Sequence, residues 1–224
     1  MTLTIDSPAV AGVIDKLFAT EEAQNEELEE RVSELAGAQL TFDHDLCEAL
    51  TDVLLAVDRN VGRFLYTLVR SHKAVNVVEF GTSFGVSALH LAAGLRDNGG
   101  GRLVTAEIQQ NKAEAARNHL DAAGLGDLVD IRVGDALETL RDVDGPIDLV
   151  LLDGWPNVYL PVLKLLEPHL RPGAVVLADD LPQGGPVPPE PLREFYAYVR
   201  DPRNGYATVA LTLGDGVEYC VRVA

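Results

Sequence analysis

"VNVVEFGTSFGVSALHLA", residues 75–92, decides the fold. A short β-branched run ends at Phe80, glycines follow at 81 and 85, and an apolar pattern of helical spacing opens at about Ser83. Strand, glycine turn and helix in that order begin a βαβ unit. Outward from this stretch the alternation repeats. "RLVTAE" at 102, "LVDIRV" at 128, "IDLVLLD" at 147 and "AVVLAD" at 174 read as strands, with helices expected near 84–96, 109–123, 136–141, 159–170 and 190–200. The end breaks the pattern, because "YATVALTL" and "GVEYCVRV" are joined by the tight turn "GDG", the mark of a hairpin.

Upstream, "TEEAQNEELEERVSELAG" (20–37) places Leu28, Val32 and Leu35 at helical spacing, with Thr20 as cap and Gly37 as stop. Two further helical patterns run through Leu46, Leu50, Val53, Leu54 and Val57, and through Phe64, Leu65, Leu68 and Val69. The expected architecture is α/β: a Rossmann-like, doubly wound, seven-stranded sheet, mostly parallel with a C-terminal antiparallel hairpin, plus N-terminal helices. Residues 1–72 are expected as a helical extension packing on a core domain of 73–224, the two making one structural domain. "LPQGGPVPPEP" at 181–191 reads as a surface loop.

A net charge of -17 argues against a surface that tracks nucleic-acid phosphates or an anionic membrane. Cys47 and Cys220 share no metal-ligand or disulfide-framework spacing, and no apolar run approaches a bilayer's thickness, so a reducing, cytoplasmic setting is expected.

In the loop after the first strand, glycine lets the backbone approach a ligand and the helix start favours polar or anionic groups. The spacing E-x-G-x-x-x-G lacks the middle glycine of the dinucleotide fingerprint, which counts against NAD. Glu107 ends the next strand, where an acid can accept both hydroxyls of a ribose. Asp135 ends the third strand and can accept from an adenine amino group or cap the following helix. Asp153 ends the fourth strand, and Asp179 and Asp180 the fifth. Adjacent strand ends lie roughly 5 Å apart, so these carboxylates can converge, and oxygen-only ligands suit Mg2+, Mn2+ or Ca2+. A cap at Asp153 with a solvated Asp179–Asp180 pair is the plainer alternative.

The segments "VVEFGTSFGVSALHLA", "AEI", "GDA", "LLDGWPNVYLP" and "LRPGAVVLADD" resemble class I S-adenosylmethionine-dependent methyltransferases, specifically the cation-dependent O-methyltransferases of the catechol and caffeoyl-CoA type. The resemblance covers about residues 60–224. It implies methylation of a hydroxyl on a small, catechol-like acceptor, with no nucleic-acid or membrane partner expected from the charge, and the acidic N-terminal helices could cover a partner subunit in a homodimer. It places Glu79 and Gly81 by the methionine part of the cofactor, Ser83 and Ser87 on its amino-acid end, Glu107 on the ribose, and Asp135, Ala136 and Trp155 around the adenine, with Gly85 and Ile108 also among the cofactor-binding residues. Asp153 belongs to the cofactor site as well and is the catalytic residue it points to.

The same resemblance implies a divalent cation on Asp153, Asp179 and Asp180, Mg2+ foremost, where the family's third ligand is asparagine. It also predicts a lysine base three residues after Asp153, where this chain has Pro156. Lys164 lies too far down the helix. Tyr159, His44 and His72 are the other candidates for receiving the proton.

Overall fold

The protein is described by a computed structural model, which covers residues 2–37, 49–181 and 192–223. Seven strands form one sheet in the order β3-β2-β1-β4-β5-β7-β6: β1 (Asn76–Phe80), β2 (Arg102–Glu107), β3 (Val129–Val133), β4 (Ile147–Leu152), β5 (Leu170–Ala178), β6 (Tyr206–Leu211) and β7 (Val217–Arg222). The first five run parallel, whereas β7 pairs antiparallel with both β5 and β6, so the expected hairpin closes the sheet.

Side chains alternate across the strands and feed two cores. Val77, Leu149, Leu151, Val175 and Leu177 face one side, where they meet α1 (Pro8–Gly37), α2 (Arg59–Ser71), α3 (Val86–Asp97) and α4 (Gln110–Ala122). Val78, Phe80, Val150, Leu152 and Val176 face the other, under α5 (Ala136–Thr139), α6 (Tyr159–Leu166) and α7 (Leu192–Val199). Both faces are covered, and the central strands are correspondingly apolar throughout.

The N-terminal region differs from its reading in two places. The first helix starts at Pro8 and not at Thr20, because proline is pre-set for a first helical turn and Val10, Ile14, Leu17 and Phe18 supply a buried stripe. The stretch Val53–Val57 has helical apolar spacing but no helix: 53–58 is irregular. Its backbone is held from the side, Leu54 N donating to Gln24 Oε1 (3.0 Å) and Ala56 N to Glu21 Oε1 (3.1 Å), while Val53, Leu54 and Val57 are buried. The third pattern is α2, capped by Asp58, whose carboxylate accepts from Asn60 N at 2.7 Å. Leu46, His44 and Cys47, and most of the 181–191 loop, lie outside the described residues.

Candidate functional site

Parallel register aligns the strand ends. Phe80 pairs with Ala106 and Leu152, and Leu152 with Ala178, so Gly81, Glu107, Asp153 and Asp179 all emerge at the carboxyl edge, beside the point where strand order reverses. Glycine is required at the first of these. Gly81 has φ +99°, and a Cβ there would lie 2.3 Å from the Asp153 carbonyl oxygen. The next turn is also left-handed at Ser83 (φ 47°) and at Gly85 (φ +92°), which caps α3 against Ala116.

Glu107 is fixed by this loop. Ser83 N donates to its Oε2 at 2.7 Å and Gln109 N to its Oε1 at 3.0 Å, leaving each oxygen a lone pair for a ligand. Glu79 is fully buried, and Thr105 donates to its Oε2 at 2.5 Å. Burial pushes its carboxyl up to about 7, the Ser87 and Thr105 hydroxyls pull it partly down, and the Glu107 charge raises it. Its Oε1 and the buried Oγ of Ser83 have no hydrogen-bond partner, so the strand end presents polar atoms that a ligand can satisfy.

A cavity of about 690 Å3 opens over these groups. Gly81, Ser83, Ser87, Glu107, Ile108, Asp135, Ala136, Asp153 and Trp155 line it, which brings together every expected cofactor residue except Glu79 and Gly85, which flank it. Asp135 caps α5, accepting from Leu137 N at 2.8 Å, and also lines the cavity. Leu55, Ala56 and Val57 form part of the wall. Sequence periodicity had assigned them to a helix and not to a ligand site.

Asp153 and Asp179 sit on adjacent strand ends, with Asp153 N donating to Phe80 O and Asp179 N to Leu152 O. Burial raises the Asp153 carboxyl well above the carboxylate range, and the charges of Asp179, Asp180 and Glu79 add to it. Asp179, 2% exposed, is pushed up to about 7 by burial and then by Asp180; Asp215 and Asp58 reinforce the shift, while the Asp180 amide opposes it. Asp180 lies at the rim in a left-handed backbone (φ 56°); burial and Asp215 raise it too, although its exposed surface lets solvent screen it more than the other two. Asp179 Oδ1 is buried without a partner. Among the described residues no three carboxylate, histidine or cysteine side chains close into a ready metal cage, so the three aspartates are coupled neighbours and not a completed ligand set.

The candidate bases do not gather here. Tyr159 is completely buried, its hydroxyl donates to Asp179 O at 3.0 Å, and burial with the nearby aspartates pushes its proton affinity far up, so it holds its proton and serves as a strut. His72 ends α2 ahead of β1, at the opposite edge of the sheet. Lys164 lies over the Tyr198 ring, 5.0 Å from its centroid. Pro156 lines the cavity where a lysine was expected. Sequence reading also missed Lys112, a buried cavity-lining lysine on α4, because a lone lysine in a helix gives no local signal.

This arrangement, a seven-stranded Rossmann-like sheet with a glycine loop after β1 and acids at successive strand ends, is that of a methyltransferase. A family model described as a methyltransferase domain matches residues 78–181. The catechol O-methyltransferase of Niastella koreensis is 30% identical over 174 residues, covering 73% of this chain and 78% of that protein. The catechol O-methyltransferase of Sus scrofa is 36% identical over 153 residues, covering 64% and 77%. Among solved structures, the O-methyltransferase TomG from Streptomyces achromogenes in complex with SAM superposes with a TM-score of 0.70 at 29% identity, over 86% of this chain and 95% of that one. Cofactor-bound Rv0187 from MTB gives 0.71 at 28% identity, over 99% and 92%. The chain belongs to the S-adenosylmethionine-dependent O-methyltransferases of the catechol and caffeoyl-CoA O-methyltransferase type.

Proposed function

We propose that this O-methyltransferase acts on a hydroxyl of a small, catechol-like acceptor with the help of a divalent cation, Mg2+ first, with Mn2+ or Ca2+ as alternatives. The observation that carries the reading is the buried Asp179 oxygen left without a donor, beside Asp153 and Asp180, in a group of carboxylates that raise one another's proton affinity. Such a group is relieved by positive charge, and its all-oxygen donors suit a hard cation. When bound, the cation supplies Lewis acidity that makes an acceptor hydroxyl more acidic and fixes its orientation.

The chain's own residues do the rest. Glu107 takes the ribose hydroxyls with the lone pairs its two amide contacts leave free. Glu79 and Gly81 flank the methionine part, Ser83 and Ser87 its amino-acid end, and Ile108, Asp135, Ala136 and Trp155 surround the nucleoside. Asp153 lines the cavity against Gly81, and on this reading it serves both the cofactor and the acceptor side. With Pro156 in the lysine position and Tyr159 locked as a donor, no described neutral side chain serves as base, which places the demand on acidification of the hydroxyl itself.

Calorimetric titration of Mg2+ and methyl-transfer assays on Asp153→Ala and Asp179→Ala test this. Both variants should lose Mg2+ binding and roughly a hundredfold of turnover while keeping S-adenosylhomocysteine affinity within about threefold. Near-wild-type rates with added Mg2+ in either variant would remove the ligand assignment.

A further inference from the structure

The cavity wall is acidic, with Glu107, Asp135, Asp153 and Asp180 on it, and Lys112 is the one basic residue among its described lining residues. It is 6% exposed and stands in the first turn of α4. Its ammonium lies 5.7 Å from the centroid of the Phe84 ring, which holds it against the glycine loop one residue from Ser83, whose buried Oγ has no partner. Strand-end acids satisfy hydroxyls and ammonium groups but repel a carboxylate, and the cofactor carries one carboxylate at its amino-acid end.

We propose that Lys112 is the positioning residue for that carboxylate: its ammonium, seated on Phe84, and the Ser83 hydroxyl bind the methionine end of S-adenosylmethionine. This rests on the cofactor reading of the cavity and adds the group that counters its acidic wall. Orientation of the amino-acid arm then sets where the sulfonium methyl lies relative to Asp153, so Lys112 acts on binding and alignment and not on the proton.

The test is calorimetry with two ligands on the full chain: S-adenosylhomocysteine, which has the carboxylate, and 5′-methylthioadenosine, which has the nucleoside and sulfur without the amino-acid arm. Lys112→Met should bind S-adenosylhomocysteine roughly ten- to a hundredfold more weakly, 5′-methylthioadenosine as wild type does, and Lys112→Arg should restore most of the loss. Undiminished 5′-methylthioadenosine binding also shows that the variant is folded. Equal losses for both ligands, or no loss for either, would overturn the assignment. A wild-type chain that binds neither would instead overturn the cofactor reading on which it rests.

Discussion

Glu107 and Gly81 make the site at the scale of single residues. Glu107 is held by two backbone amides, so its orientation is set before any ligand arrives. Glu107→Gln keeps a side chain of the same size but can no longer accept at both oxygens. It should weaken S-adenosylhomocysteine binding roughly tenfold by calorimetry and lower stability by about 1 kcal/mol in urea titration, since one buried amide loses its acceptor. Gly81→Ala should be worse. Its Cβ would meet Asp153 O at 2.3 Å and Gly154 N at 2.7 Å in a backbone region that side chains avoid, and because both are main-chain atoms neither can turn away. We expect a loss of roughly 2–4 kcal/mol in the same titration, with cofactor binding lost as well. At this scale the sequence was informative wherever chemistry sat at a strand end, as with Glu107, Asp135, Asp153 and Asp179. It was silent on Lys112, and on Asp58 and Asp215, which reach the Asp179 carboxylate only because folding brings a helix cap and a hairpin turn beside β5.

Among the elements, α2 and α3 pack closely enough that a Cβ on Gly62 would come within 2.7 Å of the His90 ring. His90 is buried, its Nδ1 meets Val86 O at 2.8 Å, and burial lowers its pKa to about 4 from 6.5. Above pH 6.5 the imidazole is neutral folded or unfolded. Between 6.5 and about 4 only the unfolded chain takes the proton, so stability falls as pH drops through that window, by up to on the order of 3 kcal/mol from this group. His90→Asn should therefore be less stable than wild type at pH 7.5 and lose less on acidification. The gap between the two denaturation curves should narrow toward pH 4.5, and a gap of constant width would exclude His90 as the source. The strands and the helices that follow them were legible because their hydrophobic periods are unambiguous. The Val53–Val57 segment was not: its burial comes from docking under α1 through Gln24 and Glu21, a tertiary cause that imitates helical spacing.

For the whole molecule, the sheet edge concentrates like charge in a chain already at -17. Raised carboxyls are a stress on the fold that a bound cation would relieve, so under the proposed metal reading millimolar Mg2+ should raise the melting temperature by several degrees and Asp179→Ala should abolish the increment. Among the described residues no helix is long and apolar enough to cross a membrane. The doubly wound order follows from short βα connections and the covering of both sheet faces, which is why fold class was readable while the part of the cavity wall drawn from 55–57 and Leu192 was not. The central claim is tested most directly by methyl transfer from labelled S-adenosylmethionine to a panel of small catechols, with EDTA and then with Mg2+ restored. Transfer that falls to background in EDTA and returns with Mg2+ is the predicted result. Turnover unchanged by EDTA would contradict it.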